Sequence, residues 1–284
     1  MFMCQQAVRD LKWAIESPSL IEHPAVESIS ISPSRTVDDV DPDDLRSFLE
    51  HQTSHRVGYY FESLVHYWLL KIRDVHFVGK RLQIQDGKRT VGELDFLYRD
   101  EEGALTHMET AVKFFLHFPE DNSSRSHFIG PNAADNFERK MNRLFDHQLP
   151  VSQQLYPDIE KRVAYVKGRM FYHPTQNVPE VLPTPLAADH LRNTWLRCSE
   201  VDWFHQKHAD CAFRILRKPL WLANERVGSD ECSTLMSVAE LTKSLASHFT
   251  ESNHPNLVGI LESRGSQFVE VARVFVVEDG WPGI

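Results

Sequence analysis

The order in which helical and strand periods follow one another constrains the fold more than any other feature of this sequence. Residues 56–73, RVGYYFESLVHYWLLKIR, repeat apolar side chains near the 3.6-residue period of a helix. Three strand-like segments joined by the hairpin-type turns DGK and DEEG come next, at 77–85, 91–99 and 105–116. A second helical pattern over about 133–148 and a strand-like segment over 162–172 complete an α-β-β-β-α-β order. This order predicts an α/β or mixed α+β protein with a central mixed sheet flanked by helices.

The segments outside this order differ from it in composition. Residues 1–44 hold a helix-like stretch and the acidic run DDVDPDD, and residues 174–194 contain four prolines without clear periodicity. Residues 195–284 mix a helical pattern over 237–248 with strand-like segments near 257–261 and 268–277. We therefore predict four parts: an N-terminal helix and acidic loop (1–44), a core (45–173), a proline-rich connector (174–194) and an elaborated C-terminal α+β part (195–284).

The charge balance limits what the whole surface can bind. The 284 residues include 31 Lys or Arg and 40 Asp or Glu, which gives a formal net charge of −9 and a pI near 5.9. A protein that coats nucleic acid over its whole surface should be basic. We therefore expect any contact with DNA to be confined to a local patch.

The sequence contains no segment that resembles a membrane span or a secretion signal. No stretch approaches the ~20 apolar residues that cross a bilayer, and the first residues lack the apolar run of a signal peptide. The four cysteines form no CxxC pair. Free thiols in a reducing compartment are the simplest account, so we predict a cytoplasmic protein with no membrane partner.

Charged side chains share one face of the second and third predicted strands. Because side chains alternate along a strand, Glu93 and Asp95 point to one side of the second, and His107, Glu109 and Lys113 to one side of the third. Ionised groups on a sheet must be paired, bound to metal or solvated, since an isolated buried charge is costly. Two carboxylates and a lysine on adjacent strands therefore indicate a hydrolase that uses a divalent metal ion.

These groups have the chemistry that metal-assisted hydrolysis requires. Asp95 and Glu109 would supply oxygen ligands to Mg²⁺ or Mn²⁺, and Glu62, in the preceding helix, would complete the shell directly or through water. The metal ion would polarise a phosphoryl oxygen and lower the pKa of a bound water. Lys113 would orient that water or stabilise charge in the transition state.

Two segments that follow the helix containing Glu62 resemble the PD-(D/E)XK nuclease-like superfamily: GELDFL at 92–97 and METAVKFFL at 108–116. Restriction endonucleases, Holliday-junction resolvases and repair nucleases share that fold. The resemblance implies a restriction-endonuclease-like central sheet, with Asp95 as the first acid of the motif. It implies that Glu109 and Lys113 form the second half of the motif.

The spacing of that second half departs from the motif of the superfamily. Three residues separate Glu109 from Lys113, where the superfamily has one. Either Lys113 is displaced by two residues, or Ala111 fills the place of the acid and Glu109 is displaced. Both shifts keep the side chains on one face of the strand. The departure is compatible with a migrated catalytic group and also with an inactive site in a retained fold.

Longer segments resemble a bacterial domain-of-unknown-function family that is placed in the same superfamily. These segments are GPNAADNFERKMNRLFDHQL at 130–149, VKGRMFYHP at 166–174 and EVARVFVVEDGWP at 270–282. The resemblance covers most of the chain. It implies the fold and a metal-site hypothesis but no substrate.

A local excess of positive charge follows the third predicted strand. From Arg125 to Arg169 there are eight Lys or Arg and five Asp or Glu, a net charge of +3. In the superfamily, residues on the helix after the third strand often face the site or a phosphate. We therefore predict a DNA-binding patch formed by Lys140, Arg143, Gln148, Lys167 and Arg169.

The leading hypothesis is a cytoplasmic Mg²⁺-dependent nuclease that hydrolyses DNA by attack of a metal-activated water. The main alternative is a non-catalytic module that keeps the nuclease scaffold and binds nucleic acid or a protein partner, which the net charge and the Glu109–Lys113 spacing favour. A third possibility is a hydrolase of another phosphoester.

Each group of site residues also has an alternative without function. For Asp95, Glu109 and Lys113 the alternative is an ion pair across the hairpin. For the cations of the 133–148 helix it is a solvated face. Glu93 is interpreted as a residue of the fold and His107 as an exposed or hydrogen-bonded side chain.

One further spacing has metal-binding atoms. The pattern Cys198-x6-His205-x2-His208-x2-Cys211 would suit tetrahedral zinc, but it fits no common zinc module. Buried thiols and surface histidines are the favoured interpretation.

Overall fold

The computed structural model describes residues 2–24, 36–50, 54–119 and 127–283. Part of the predicted acidic loop, residues 25–35, and Arg125 of the predicted basic region lie outside the described residues, as does the side chain of His205. Within the described chain, no helix combines the length and the apolarity that crossing a lipid bilayer demands.

The helices and strands that the structure describes are as follows. The α-helices are α1 (Phe2–Glu16), α2 (Pro42–Glu50), α3 (Val57–Lys71), α4 (Phe137–Arg143), α5 (Leu149–Leu155), α6 (Val201–His205) and α7 (Val238–Glu251). The strands are β1 (His76–Asp86), β2 (Arg89–Arg99), β3 (Leu105–His117), β4 (Phe128–Ile129), β5 (Lys161–Tyr172), β6 (Leu191–Arg197), β7 (Ala212–Ile215), β8 (Arg226–Gly228), β9 (Asn256–Arg264) and β10 (Gln267–Val277). A π-helix, Leu144–Gln148, joins α4 to α5.

The chain divides into two compact units that share it in alternating segments. The first comprises Met1–Lys113, Glu138–Gly168 and Leu182–His190, and the second comprises Phe114–Phe137, Arg169–Val181 and Leu191–Ile284. The division falls within two strands, β3 and β5.

In the first unit, β1, β2 and β3 pair antiparallel in chain order, and β5 lies next to β3. Helix α3 buries a continuous apolar face, with Phe61, Leu64 and Trp68 almost fully covered. The apolar side chains that repeat with the helical period over residues 56–73 thus form the buried face of α3. A smaller buried cluster includes residues of β1 and β2 together with Ile159: Ile84, Leu94, Leu97 and Ile159.

In the second unit, parallel and antiparallel strands occur side by side. Strand β6 pairs parallel with β5 on one side and with β10 on the other, while β9 pairs antiparallel with β10 and β7. Helix α7 covers this sheet with Leu241 and Leu245, which pack in one cluster with the strand residues Val258 and Val274. This is the mixed sheet that the sequence predicts.

The predicted α-β-β-β-α-β order is confirmed by α3, β1, β2, β3, the helix over 137–155 and β5. The mixed α+β class with a mixed sheet flanked by helices is confirmed as well. One detail differs. The helix predicted over about 133–148 begins at Phe137 and continues to Leu155. Strand β6 begins at Leu191, within the segment 174–194.

One glycine brings two strands of the first unit unusually close together. A Cβ atom on Gly168 of β5 would lie 2.0 Å from the backbone oxygen of Lys113 in β3. Real Cβ atoms do not approach oxygen so closely, so any other residue would push the strands apart. The sequence VKGRM therefore fixes the backbone at Lys113 against β5.

Candidate active site

Two carboxylates face each other where β2 and β3 separate. The ladder between these strands includes Phe96 with Met108, and Asp95 and Glu109 are the next residues along. Here side chains replace the backbone ladder. The backbone N–H of Asp95 donates to Glu109 Oε1 at 3.4 Å, and the N–H of Thr110 donates to Asp95 Oδ2 at 2.8 Å. Each of the two carboxyl groups, which the sequence predicts to lie on one face, thus accepts a hydrogen bond from a backbone N–H of the neighbouring strand.

Both carboxyl groups have a raised pKa. Burial, and then the charges of Glu109 and Glu62, raise the pKa of Asp95 to about 7. Burial, with smaller contributions from Glu93 and Glu62, raises the pKa of Glu109 to about 7. Buried acids with a raised pKa and other acids close by are typical of sites that bind a cation or exchange a proton.

A buried hydrogen-bonded chain supports Glu109 from behind. Glu109 is 2% exposed and His107 is fully buried, and His107 Nε2 lies 2.8 Å from Glu109 Oε1. His107 Nδ1 lies 2.9 Å from Ser152 Oγ, which itself donates to the backbone oxygen of Leu149. Ser152 therefore accepts from Nδ1, and the lone pair of a neutral Nε2 accepts a hydrogen bond from the protonated carboxyl group of Glu109, whose pKa is raised. Burial lowers the pKa of His107 to about 4, in keeping with that neutral form.

A cavity of about 210 Å³ opens on the other side of Glu109. Its apolar or uncharged walls come from β3, β5 and the helix over 137–155. Its charged and amide-bearing lining consists of Glu109, Lys113, Lys140, Arg143 and Gln148. Ala111 also lines the cavity, so the alternate residues 109, 111 and 113 of β3 share a face as the sequence predicts.

The π-helix places an amide against the acid. Gln148 Nε2 donates to Glu109 Oε2 at 2.7 Å. Gln148 ends the π-helix Leu144–Gln148, and it lies five residues, one π-turn, after Arg143. Single π-turns inside α-helices occur often at functional sites. No local sequence pattern indicates this turn, and the periodicity therefore predicts a helix that ends before Leu155.

Glu62 lies near the two acids but is engaged elsewhere. Its two carboxylate oxygens accept from Arg81 Nε at 2.8 Å and from Arg81 Nη2 at 2.7 Å. Arg81 adopts a φ of +51°, which is rare for a residue with a side chain, and its guanidinium lies 4.5 Å from the ring centre of Tyr59. The β1–β2 register places Arg81 level with Asp95. Glu62 thus contributes its charge to the site while its oxygens remain bonded to Arg81.

Lys167 and Arg169 do not lie in the cavity. Val166 lines the cavity, and alternation along β5 sends the side chain of Lys167 to the opposite face, where it donates to the backbone oxygens of Ile15 and Ser17. Burial there lowers the pKa of Lys167 to about 8. Arg169 belongs to the second unit, where it is buried and donates to the backbone oxygen of Leu222 at 3.0 Å. Both side chains bond the fold in this structure.

The site meets the needs of a small divalent cation with two carboxylates. In the part of the chain that the structure describes, no group of three or more His, Cys, Asp or Glu side chains is arranged to hold a metal ion, and this includes Cys198, His208 and Cys211. Mg²⁺ is usually held by only one or two carboxylates and keeps several waters. Asp95 and Glu109 are such a pair, and Asp95 Oδ1 accepts no hydrogen bond from any described residue. The donor set therefore fits Mg²⁺ or Mn²⁺.

Several residues of the site carry no signal in the sequence. Thr110, which anchors Asp95, and Ser152, which holds His107, are ordinary polar residues of a strand and a helix. The direction of the Arg81 side chain depends on a positive φ that the neighbouring sequence does not indicate. His107 is the exception, because strand alternation from Glu109 places it on the same face.

Comparison with known protein families gives a match over most of the chain. No curated protein and no solved structure matches the chain. The family model with the description "Domain of unknown function (DUF1853)" matches residues 9–277. That range covers most of the 284 residues and includes every residue of the site. The chain therefore belongs to the DUF1853 family.

Proposed function

We propose that this protein is a Mg²⁺-dependent phosphodiesterase that hydrolyses DNA, on a scaffold of the PD-(D/E)XK nuclease-like type. One observation carries the proposal: Glu109 and Lys113 line the same cavity, and Asp95 is bonded to the strand residue that follows Glu109. The helix–three strands–helix–strand order and the acid that ends the β2–β3 ladder support the scaffold assignment.

Each side chain of the site has a role in this proposal. Asp95 and Glu109 would hold the metal ion, which would polarise the phosphoryl oxygen and lower the pKa of a bound water. Lys113 is a compact positive charge that orients the water or stabilises the developing charge on phosphorus oxygens. His107 and Gln148 position Glu109, because Gln148 donates to one oxygen of its carboxyl group and His107 Nε2 lies within hydrogen-bonding distance of the other. Lys140 and Arg143 line the same cavity, and their positive charges would contact the phosphate backbone.

The first experiment measures metal binding and cleavage with the same variants. We expect Mn²⁺ to bind the wild-type protein at millimolar or lower concentration in calorimetry, and Asp95→Asn to remove that binding. We expect the protein to nick or degrade DNA with Mg²⁺ or Mn²⁺, and Lys113→Ala to abolish cleavage while its circular dichroism stays unchanged. Lys88→Ala is the matched control, since Lys88 is an exposed lysine of the β1–β2 turn.

The outcome separates an enzyme from a binding module. Cleavage by Lys113→Ala at the wild-type rate would contradict the proposed role of that lysine. Absence of Mn²⁺ binding together with retained DNA or protein binding would support a non-catalytic module.

A further inference from the structure

One ion pair beside the two acids takes no part in the proposed function. Arg81 donates to both carboxylate oxygens of Glu62, from Nε at 2.8 Å and from Nη2 at 2.7 Å. Arg81 lies level with Asp95 in the β1–β2 register, and the charge of Glu62 acts on the carboxyl groups of both Asp95 and Glu109. The pair therefore holds a third carboxylate close to the two acids, already neutralised by a cation.

The backbone of Arg81 is adapted to this pair. The preceding residue, Lys80, also contacts α3, where its Nζ lies 3.3 Å from His66 Nδ1. Neighbouring residues of a regular strand point to opposite faces, so Lys80 and Arg81 would not both reach one helix from such a strand. The φ of +51° at Arg81 interrupts the alternation. Sparsely populated backbone conformations of this kind cluster at functional sites.

The ion pair is accessible to a ligand from the side of its cation. The side chain of Arg81 is 39% exposed, whereas that of Glu62 is 13% exposed. The guanidinium lies over the ring of Tyr59, which is exposed as well. An ion pair that is open to solvent contributes little net stability. Another anion can therefore replace Glu62 as the partner of Arg81 without disrupting the fold.

Phosphate is the anion that suits this guanidinium. An arginine presents its N–H groups in a planar fork that bonds a carboxylate or a phosphate through two parallel hydrogen bonds. A phosphate of DNA can thus take the place of the two oxygens of Glu62. While the pair is intact, a divalent cation at Glu62 would meet the positive charge of Arg81. Once Arg81 binds a phosphate, Glu62 is available as a third carboxylate, the ligand type that Mg²⁺ and Mn²⁺ prefer.

We propose that Arg81 exchanges Glu62 for a phosphate group of DNA, and that this exchange frees Glu62 for the metal site. The inference rests on the proposed function, because it adds a substrate contact and a carboxylate to the same site. DNA and the metal ion then strengthen each other's binding, since coupling between two ligands is reciprocal. The exchange adds little to the salt dependence of DNA binding, because the freed Glu62 takes up a cation as the phosphate releases one.

The first experiment measures DNA binding in EDTA, so that neither metal binding nor cleavage contributes. It compares the full-length wild type with Arg81→Gln, Glu62→Gln and the double variant, using a single-stranded oligonucleotide. We expect Arg81→Gln to weaken binding about tenfold, as the loss of a charged hydrogen bond does. Glu62→Gln should strengthen binding, and this gain should be at least about fivefold larger when residue 81 is Arg than when it is Gln.

The same measurement has two contrary outcomes. Equal gains from Glu62→Gln in the two backgrounds would indicate a general effect of charge and overturn the exchange. Inorganic phosphate that displaces the oligonucleotide with an equal dissociation constant would assign Arg81 to free phosphate and overturn the assignment to DNA. Should Arg81→Gln lose the circular dichroism of the wild type, Arg81→Lys takes its place in the cycle, since lysine keeps the charge but lacks the planar fork.

The second experiment measures Mn²⁺ binding to the same four proteins without DNA. Arg81→Gln should tighten Mn²⁺ binding about tenfold when residue 62 is Glu, and by less than about twofold when it is Gln. Arg89→Gln is the matched control, because it removes an exposed cation from the same hairpin, on the order of 20 Å from Asp95 at ~3.3 Å per residue. A tightening that persists with Gln at residue 62, or that Arg89→Gln reproduces, would overturn the release of Glu62.

A cleavage assay separates this proposal from the proposed function. Cleavage of DNA by the wild type, with equal gains in the two backgrounds of each cycle, would overturn the exchange and leave the nuclease proposal standing. No cleavage with Mg²⁺ or Mn²⁺, while Glu62→Gln strengthens DNA binding mainly in the presence of Arg81, would overturn the nuclease proposal and support the contact between Arg81 and phosphate.

Discussion

At the scale of single residues, the site places two acids where their charges weaken the fold. Asp95 and Glu109 gain hydrogen bonds from Thr110 and Gln148, but burial and the charges of neighbouring acids outweigh these and raise each pKa to about 7. Groups of this kind are typical of functional sites, where stability is given up for reactivity or for binding a cation.

The first prediction concerns the pH dependence of stability without metal. Each acid binds a proton more tightly in the folded state than in the unfolded chain, so the free energy of unfolding should fall as pH rises from about 4.5 to about 7. Asp95→Asn removes one of the two charges. At pH 8 it should raise the free energy of unfolding by on the order of 2–4 kcal/mol, from about 1.36 kcal/mol per pKa unit, and near pH 4 it should change it little. Urea unfolding in EDTA measures both values.

Glu93→Gln provides the control. It removes a carboxylate from the same face of β2, but this carboxylate is exposed, so no buried charge is removed. We expect it to change the free energy of unfolding by less than about 0.5 kcal/mol at either pH. A stability that rises between pH 4.5 and 7 in EDTA, or an Asp95→Asn variant less stable than wild type at pH 8, would contradict the burial argument.

Which site residues the sequence can indicate depends on how their positions are set. Strand alternation alone fixes the face of Asp95, Glu109 and Lys113, so their convergence can be predicted from two strand assignments. The same rule predicts that Lys167 faces away from the cavity once Val166 is known to line it. Glu62 is bonded to Arg81, which has a positive φ in the middle of β1. No local sequence pattern indicates this backbone conformation.

At the scale of elements, the position of Lys113 depends on how closely β3 and β5 approach. Gly168 lets its backbone lie against the carbonyl group of Lys113. The strand contact therefore holds the backbone of the proposed catalytic lysine, while the helix over 137–155 supplies the opposite wall of the cavity. A change at Gly168 should act on the site through the sheet.

The second prediction compares two glycine substitutions. Gly168→Ala would place a Cβ 2.0 Å from a backbone oxygen that cannot move freely, so we expect a loss of roughly 3 kcal/mol or more in the free energy of unfolding. Gly58→Ala is the control. Gly58 lies in the first turn of α3 with no atom within 4 Å of an added Cβ, so the helix should gain about 0.5 kcal/mol. Thermal and urea unfolding of both variants test this, and a neutral Gly168→Ala would contradict the close approach.

The elements that the sequence could not indicate are those that depend on distant partners. Strand β6, LRNTWLR, is short and largely polar, and it forms because β5 and β10 lie on either side of it. The π-helix before Gln148 depends likewise on contact between the helix and the strands beneath it. By contrast, α3 and the β1–β2–β3 meander are visible in sequence because local periodicity and hairpin turns define them.

At the scale of the whole molecule, the contacts divide the chain in a way that composition along the sequence does not reveal. Each of the two compact units takes three separate segments. The proline-rich stretch over 174–194 contributes residues to both units, because Leu182–His190 belongs to the first. The linear boundaries at 44, 173 and 194 stay predictions.

The net charge of −9 sets a further whole-molecule condition on DNA binding. A negative surface repels DNA at long range, and salt screens that repulsion as well as the attraction of the cavity. In the proposed function, the contacts with phosphate are assigned to the cations that line the cavity, Lys113, Lys140 and Arg143. Proteins that bind DNA over a broad basic face release many counterions, and this protein should release few.

The third prediction turns this count into a salt dependence. With three cations and a slope of about −0.7 per contact for single strands, the logarithm of the association constant should fall with the logarithm of the salt concentration at a slope near −2. Arg143→Gln should make the slope shallower by about 0.7. Arg139→Gln should leave it unchanged, since Arg139 lies outside the cavity lining. Fluorescence anisotropy with a single-stranded oligonucleotide in EDTA, between 50 and 200 mM salt, measures the slope. A slope of −6 or steeper would mean that a broad surface binds DNA, and a slope of zero would mean that cations of the cavity make no contact with phosphate.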